Sequence, residues 1–363
     1  MEILITKDEL NKAINTVKGA IPGKTTMPLL ECILVRASEN ITFMANSLDL
    51  GIKSVADGEI KEEGKIAINA KNLSELARKL PDGNVTIKTD NSNVTFKCGK
   101  FKAVVAGMGG DEYPDIQADN PNARIEISQV SLKSIIKQTI FAASDNDANK
   151  IMTGELFEVK GDRLSITALD GHRIARRMIG LKHEYEDTKV IIPAKALGEV
   201  LKASSGNGDM MICLSSNHAV FEFDKAIVTT RLIEGQYFDI DRMLNMSFGT
   251  EVTASRKDLY ESIDRSTLAI TAADKRPIIV TVTDDSIKWV AKTNTDELED
   301  EINAIKKGSD VRIGFNPRLV MDVLNVIEDE NVTLSLISPN QPCVIKSDEY
   351  MYLVLPVNIG DAK

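Results

Sequence analysis

The sequence predicts an α+β protein built from three tandem copies of one domain, each copy a pseudo-twofold pair of helix-plus-sheet units. A strand-like segment that leads into a leucine recurs with spacings of 122 and 127 residues, and a second marker recurs with spacings of 124 and 122. The leucines of the first marker are Leu10, Leu132 and Leu259, and those of the second are Leu73, Leu197 and Leu319. Two independent markers with one shared period indicate internal repetition. We therefore predict domains at residues 1–121, 122–247 and 248–363.

Each predicted copy contains two amphipathic helices with strand-like segments between them. In the first copy, apolar residues spaced by three and four positions form a stripe on each helix, at Leu10, Ile14 and Val17 and at Leu73, Leu76 and Leu80. Alternating segments predict the strands, because side chains of a strand point to opposite faces in turn. The predicted strands are Cys32–Arg36, Ile41–Ala45, Val85–Thr89, Val94–Cys98 and Phe101–Ala106; then Leu156–Lys160, Leu164–Ala168, Met210–Leu214, Ala219–Phe223 and Ala226–Arg231; then Ile278–Thr283, Ile287–Ala291, Val332–Ile337, Cys343–Ser347 and Tyr350–Leu355.

Composition excludes several classes of protein. The N-terminus lacks a basic region followed by an apolar run, and no apolar segment is long enough to cross a bilayer, so we expect a cytoplasmic protein with no membrane partner. The four cysteines lie far apart in apolar contexts, which predicts buried free thiols. Three histidines without paired-cysteine or HExxH spacing predict no metal site, and we expect no cofactor.

Charge is distributed unevenly along the chain. The six predicted helices carry 14 basic and nine acidic residues, although the whole chain has a net charge of −10. This segregation indicates that the helices face something anionic, and the alternative is chance variation among surface lysines. Aromatic residues make up only 5% of the chain, too few for base stacking, and no RRM, zinc-finger or helix-turn-helix signature occurs. Any nucleic acid should therefore be contacted through its backbone, without reading of sequence.

The stretch Leu164–Arg177 combines a strand pattern with a turn rich in functional groups. Asp170 and Gly171 are typical of a tight hairpin turn, and His172 and Arg173 follow directly. Three interpretations are open from these residues alone: a catalytic cluster, a partner-binding rim or an ordinary hairpin. An enzyme should also show a nucleophile or metal partner, but the chain has no GxSxG motif, P-loop or metal-spaced carboxylate cluster.

Four segments in the expected order resemble the beta subunit of bacterial DNA polymerase III, the sliding clamp family. They are GKTTMPLL from Gly23, ALDGHRIARR from Ala168, RIGFNPRLVMDVLN from Arg312 and YLVLPVNI from Tyr352. The resemblance implies a non-catalytic processivity factor: two chains close head to tail into a ring of clamp domains, with sheets outside and helices lining a hole around double-stranded DNA. It also implies that the DNA polymerase III alpha subunit, the clamp loader and other proteins with clamp-binding motifs are partners.

The resemblance also assigns site residues, which we carry over position by position. The implied pocket for partner peptides comprises Met152, Leu169, Gly171, His172, Arg173, Ile174, Phe238, Arg242, Met243, Val354, Leu355, Pro356 and Val357. The implied DNA-facing residues are Lys24 and Lys150, which match loop positions of the family, and Lys12, Arg78, Lys137 and Lys202, which lie on the predicted basic helices that would line the hole. The implied dimer interface joins Lys71, Arg78, Lys79, Lys102, Val104 and Ala106 of one chain to Ile270, Thr271, Glu297, Glu299 and Glu301 of the other.

The chain departs from the family pattern at the pocket. Family members often carry threonine, proline and arginine where this chain has Leu169, Phe238 and Asn358. The pocket is expected to be an apolar cleft with a basic rim, suited to a peptide with leucine or phenylalanine anchors and a polar group. Two alternatives are open: a clamp-like interaction scaffold that does not encircle DNA, and an enzyme that uses Asp170, His172 and Arg173.

Overall fold

The computed structural model describes residues 1–115, 119–146, 148–240, 243, 247–269, 277–293 and 295–359. It is a mixed helix and sheet structure with two compact units, Met1–Lys133 with Ile192–Glu234, and Ser134–Ile191 with Gly235–Lys363. The two units are defined by the contacts between residues in the folded chain, whereas the three predicted domains are defined by the repeat in the sequence. The predicted domain boundaries therefore remain a prediction.

The first unit is built on one 13-stranded sheet. Its elements are β1 (Glu2–Thr6), α1 (Lys7–Val17), β2 (Cys32–Ala37), β3 (Ile41–Asn46), β4 (Leu50–Ala56), β5 (Gly58–Glu62), β6 (Gly64–Asn69), α2 (Ala70–Lys79), β7 (Asn84–Asp90), β8 (Asn93–Cys98), β9 (Phe101–Gly109), β10 (Ala123–Ser128), α3 (Gln129–Lys137, which continues into the second unit), α4 (Ala194–Ala203), β13 (Asp209–Leu214), β14 (His218–Phe223) and β15 (Ala226–Arg231). The strand order is β10-β13-β14-β15-β4-β3-β2-β6-β9-β8-β7-β1-β5, and β15 pairs antiparallel with β4. This pairing joins strands of the first and middle copies in a continuous sheet.

The second unit contains a seven-stranded and a four-stranded sheet. Its elements are β11 (Gly154–Leu169), β12 (Arg173–Pro193), β16 (Thr250–Ser255), α5 (Arg256–Ser266), β17 (Ile278–Val282), β18 (Ser286–Lys292), β19 (Glu297–Asn303), β20 (Ile305–Gly308), β21 (Val311–Phe315), α6 (Pro317–Val326), β22 (Asn331–Leu336), β23 (Cys343–Ser347) and β24 (Tyr350–Val354). The orders are β11-β12-β24-β23-β22-β16-β20 and β19-β18-β17-β21.

The helices begin where the sequence places them, directly after a strand. Thr6 caps α1 by accepting from the Glu9 amide, and Asn69 caps α2 by accepting from the Asn72 amide. The predicted stripe of α1 is buried at Leu10, Ile14 and Val17. In the second helix Leu73 is buried, Leu76 is half-buried and Leu80 lies just past the helix end. Burial of one face on the sheet explains the periodic leucines.

The structure adds to the predicted strand list. The predicted strands Leu156–Lys160 and Leu164–Ala168 lie in the single element β11, with Gly161 between them at a φ of +57°. Strands β4, β5, β19 and β20 were not predicted from the sequence. Strand β20 has only four residues, and β5 and β19 carry many charged side chains. The four cysteines are buried and free, as predicted. Within the described ranges, no helix is long and apolar enough to span a membrane.

Candidate partner-binding pocket and charged surfaces

The turn from Leu169 to Ile174 is a hairpin between β11 and β12. Gly171 has a φ of +88°, a conformation that favours glycine. The Asp170 Oδ1 atom accepts from the backbone amides of His172 (2.9 Å) and Arg173 (3.1 Å), which is the local bonding expected of aspartate in a turn. Hydrogen bonds from these amides to the Asp170 side chain therefore hold His172 exposed at the tip of the turn.

Arg173 is held inside the second unit rather than offered to solvent. Its side chain is only 11% exposed, and its guanidinium contacts Asp170 Oδ2 at 2.9 Å and Asp322 Oδ2 at 2.5 Å. The guanidinium also lies over the Phe141 ring, 5.3 Å from the centroid. Burial disfavours its charge, but the hydrogen bond to Asp322 leaves the pKa of Arg173 above its ordinary value. Arg173 thus connects the turn to α6, and its charge is already matched by two carboxylates.

The structure brings the turn and the C-terminal segment together. Arg173 pairs with Val354 in the β12–β24 ladder, and the amide of Leu355 donates to the His172 carbonyl at 2.8 Å. Val357 continues this path by donating to the Gly314 carbonyl at 2.8 Å. Segments that the sequence separates by about half the chain therefore form one continuous wall.

The predicted pocket residues differ in burial, and Met152, Pro356 and Val357 are half-buried. Leu169, Ile174 and Val354 are buried in the second unit. Large apolar side chains remain exposed at Phe238 (40%), Leu355 (38%) and Met243. Exposed apolar side chains mark an interaction site where they form one contiguous patch. Arg242 lies outside the described residues.

Tyr237, the residue before Phe238, anchors this segment to the rest of the second unit. The rings of Tyr237 and Phe238 pack edge to face at 6.2 Å, and the Tyr237 hydroxyl donates to the Thr167 carbonyl at 3.2 Å. On the adjoining loop, the Met152 carbonyl accepts from the Ser144 amide at 2.8 Å. Phe238 is therefore fixed to the same strand, β11, that ends in Leu169.

Each predicted DNA-facing residue is exposed. In the first unit, Lys12 on α1 and Lys202 on α4 line one groove of about 740 Å³. Each lies near a carboxylate, Lys12 at 4.0 Å from Glu9 and Lys202 at 2.7 Å from Glu199. Lys24 and Arg78 are also in this unit, and Lys137 and Lys150 are in the second. Exposed ion pairs of this kind contribute little stability, so the two lysines can exchange their partners for phosphates.

Two strand edges carry the predicted interface residues. Over residues 101–106, β9 pairs with β8 alone among the described strands, and Lys102, Val104 and Ala106 point from it into solvent. Strand β19 lies at the edge of its sheet and pairs with β18 alone in the described chain. Such edges leave backbone groups ready to pair with another strand.

The three predicted interface glutamates, Glu297, Glu299 and Glu301, lie in β19. Glu297 forms an ion pair with Lys292 at 3.0 Å, Glu299 pairs with Lys288, and Glu301 accepts from Ser286. On α2, Lys71, Arg78 and Lys79 are exposed. Ile270 and Thr271 lie outside the described residues, and Leu268, just before them, is 83% exposed.

Three consecutive family matches cover nearly the whole chain. They are "DNA polymerase III beta subunit, N-terminal domain" at residues 1–117, "central domain" at 126–239 and "C-terminal domain" at 242–358. The chain belongs to the DNA polymerase III beta subunit family. The predicted family and the three tandem clamp domains are confirmed. So is the prediction of a non-catalytic clamp of DNA replication.

Relatives of known structure and curated relatives support the same family assignment. A putative DNA polymerase III beta subunit from Eubacterium rectale is 43% identical, with a TM-score of 0.95 and 99% of both chains covered. The sliding clamp structure from Bacillus subtilis is 27% identical, with a TM-score of 0.94 and 99% of each chain covered. The curated "Beta sliding clamp" of Staphylococcus epidermidis is 29% identical over 374 residues, 98% of this chain and 99% of that protein.

A buried carboxyl group beside the pocket was not predicted from the sequence. Glu155 is fully buried on β11, and its Oε2 lies 2.5 Å from the Thr139 hydroxyl. Burial raises the pKa of Glu155 to about 8, against the opposing effect of the Thr139 hydrogen bond. Aligning the three copies would have found it, because a carboxyl occurs at this core position in the middle copy alone.

Proposed function

We propose that two copies of this clamp close head to tail into a ring that encircles duplex DNA in the cytoplasm. The observation that carries this proposal is the pair of unpaired strand edges, β9 with an exposed lysine and β19 with exposed carboxylates. Pairing β9 of one copy with β19 of the other satisfies both edges. A closed ring holds DNA by enclosure, so it needs no sequence-specific contact.

Apolar surface and backbone bonds supply most of the interface energy in this proposal. Val104 is 55% exposed, and both Glu297 and Glu299 already have lysine partners in their own sheet. Their charges are therefore partly neutralised before the two copies meet. Charge complementarity with Lys102 sets the register of the strands and the rate of ring closure more than the affinity.

The lysines on the helices are the proposed contacts to DNA. Replacing Lys12 and Lys202 together by alanine removes two phosphate partners. The slope of log affinity against log salt for a labelled 30-base-pair duplex should then fall by about 2, measured by fluorescence anisotropy. The matched control replaces Lys53 and Lys61, which are exposed on strands of the same unit. An unchanged slope in the helix variant, or an equal loss in the control, contradicts this assignment.

We assign the partner pocket to the exposed wall of Phe238 and Leu355 beside the Leu169 turn. Its proposed ligands are short segments of the DNA polymerase III alpha subunit, the clamp loader and other clamp-binding proteins. The wall is apolar and Arg173 is already paired, so leucine and phenylalanine anchors should supply most of the affinity.

Substitution of Phe238 or Leu355 should weaken peptide binding without unfolding the clamp. We expect Phe238→Ala and Leu355→Ala each to weaken binding of a synthetic peptide with leucine and phenylalanine anchors by about tenfold or more, measured by calorimetry. Both side chains are substantially exposed, so the circular dichroism spectrum should be unchanged. Leu48→Ala is the control, since Leu48 is an exposed leucine at a turn of the first copy. Wild-type affinity in both pocket variants argues against this site.

A further inference from the structure

Glu155 occupies a core position that is apolar in the first copy. The Tyr237 hydroxyl donates to the carbonyl of the residue just before Glu155, at 3.4 Å. The Tyr113 hydroxyl makes the same contact, at 2.9 Å, with the carbonyl of the residue just before Ile33. Ile33 is therefore the first-copy equivalent of Glu155, and it is fully buried. The domain folds around an aliphatic side chain at this position.

The third copy also has an aliphatic side chain at this position. Ile33 pairs with the residue that precedes Asn69, the N-cap of α2. Ile278 pairs in the same way with the residue that precedes Asn316, the N-cap of α6. Ile278 is fully buried. Since two copies use isoleucine, the carboxyl of Glu155 is not required by the architecture.

The partner of Glu155 is likewise polar in the middle copy and apolar in the first. Thr139 immediately precedes the 3-10 turn that follows α3, and Val17 immediately precedes the equivalent turn after α1. Both residues are fully buried. The Val17 and Ile33 positions of the first copy have thus become Thr139 and Glu155, a hydrogen-bonded pair.

The number of available hydrogens favours a protonated carboxyl. The Thr139 hydroxyl lies 3.0 Å from the Ile135 carbonyl oxygen and 2.5 Å from Glu155 Oε2, but it has one hydrogen to donate. When Glu155 keeps its proton, the carboxyl donates to Thr139 and Thr139 donates to the helix carbonyl. When Glu155 is ionised, it must take the Thr139 hydrogen. Its Oε1, which has no partner among the described residues, then shares a buried charge.

Three segments of the proposed partner pocket meet around the hydrogen-bonded pair of Glu155 and Thr139. Met152 precedes Glu155 by three residues, and β11 contacts both short turns, at Ile140–Ala142 and Lys150–Thr153. The hydroxyl of Tyr237, next to Phe238, lies 3.4 Å from the Gly154 carbonyl and 3.2 Å from the Thr167 carbonyl, and it shares its one hydrogen between these two ends of β11. A change in the protonation of Glu155 therefore affects the contacts that hold Tyr237 and its neighbour Phe238 against β11.

We propose that Glu155 is a positioning residue of the partner pocket: its protonated form holds Tyr237 and Phe238 in place for an apolar peptide, and loss of that proton releases them. This inference rests on the proposed peptide-binding function. An ionised Glu155 draws the nearby Tyr237 hydroxyl away from the carbonyls that anchor it, because a buried carboxylate needs donors. The peptide-competent state is then lost as pH rises.

The groups around Glu155 support a loss of peptide binding as pH rises. The groups that face the carboxyl are the Thr139 hydroxyl at the end of α3 and the Tyr237 phenol on the segment after β15. In the part of the chain that the structure describes, no charged side chain contributes to the raised pKa of Glu155. Burial and then the charge of Glu155 raise the pKa of Tyr237 above its ordinary value, so the phenol stays protonated and able to donate.

The test is peptide affinity against pH in the full-length clamp. With a synthetic peptide that carries leucine and phenylalanine anchors, wild-type affinity should fall about tenfold from pH 6.5 to pH 9. Glu155→Gln, whose amide donates to Thr139 as the protonated acid does, should keep its affinity at both pH values. Asp162→Asn is the matched control on the same strand, where the carboxylate is exposed, and it should behave as wild type. A flat wild-type profile, or an equal fall in the Gln variant, overturns the inference.

Hydrogen–deuterium exchange separates this inference from the pocket assignment. If no peptide binds at pH 6.5, the proposed pocket is wrong, yet exchange of residues 236–240 still reports on Glu155. After correction for the chemical rate, wild-type protection should fall by about tenfold between pH 6.5 and pH 9 and stay constant in Glu155→Gln. Constant protection in the wild type contradicts the role of Glu155.

Discussion

Val104→Glu should convert the proposed dimer into monomers. In the proposed ring, β9 of one copy lies against β19 of the other, so the new carboxylate faces Glu297 and Glu299. Like charges in an interface cost several kcal/mol, and a two-chain ring contains the contact twice. We expect the dimer dissociation constant to rise by about a thousandfold or more, measured by analytical ultracentrifugation. The monomer should stay folded, because Val104 is 55% exposed within its own chain.

Two further variants decide whether charge at this edge matters. Val104→Lys places a similar polar side chain at the same site with the opposite charge, so it should keep more of the dimer than Val104→Glu. Val130→Glu makes the same chemical change at an exposed valine on α3 and should leave the dimer intact. A wild-type dissociation constant in Val104→Glu means that the interface lies elsewhere.

Glu155→Gln should stabilise the clamp at alkaline pH and have little effect at acid pH. An unfolded glutamate releases its proton near its ordinary pKa of 4.5, whereas burial holds the folded pKa at about 8. Between these values folding must retain a proton that the unfolded chain gives up, so wild-type stability falls as pH rises through this window. The whole cost, about 5 kcal/mol at most, is present above pH 8.

Chemical denaturation at pH 5 and pH 8.5 measures this effect. The unfolding transition that involves the second unit should shift between the two pH values in wild type and much less in Glu155→Gln. Asp162→Asn should follow the wild type, since its carboxylate is exposed in both states. A Gln variant that is destabilised equally at both pH values shows that Glu155 contributes through shape alone.

The sequence predicted the parts of the fold that follow from simple periodicity. Leu10, Ile14 and Val17 are buried because a helix brings every third and fourth residue to one face. The Asp170–Gly171 turn forms because its bonds are local, between the aspartate and the two amides that follow. Repetition then extended the prediction from one copy to all three.

Long-range pairing accounts for what the sequence did not reveal. Strand β19 was not predicted because a charged residue, Asp300, stands between Leu298 and Ile302 on the inner face of the strand and interrupts the apolar pattern. In the folded chain Arg265 neutralises Asp300 at 2.6 Å. Arg173 looked like a free basic residue because its partner Asp322 is 149 positions away. Charge pairs that form only in the folded chain leave no local pattern.

Retention on circular DNA tests the central claim most directly. A clamp placed on a nicked plasmid by a bacterial clamp loader should co-elute with the circle in gel filtration at moderate salt. Cutting the plasmid once should release the clamp, because an enclosing ring slides off a free end. Equal retention on circular and linear DNA, or equal loss from both, contradicts enclosure and favours the interaction scaffold.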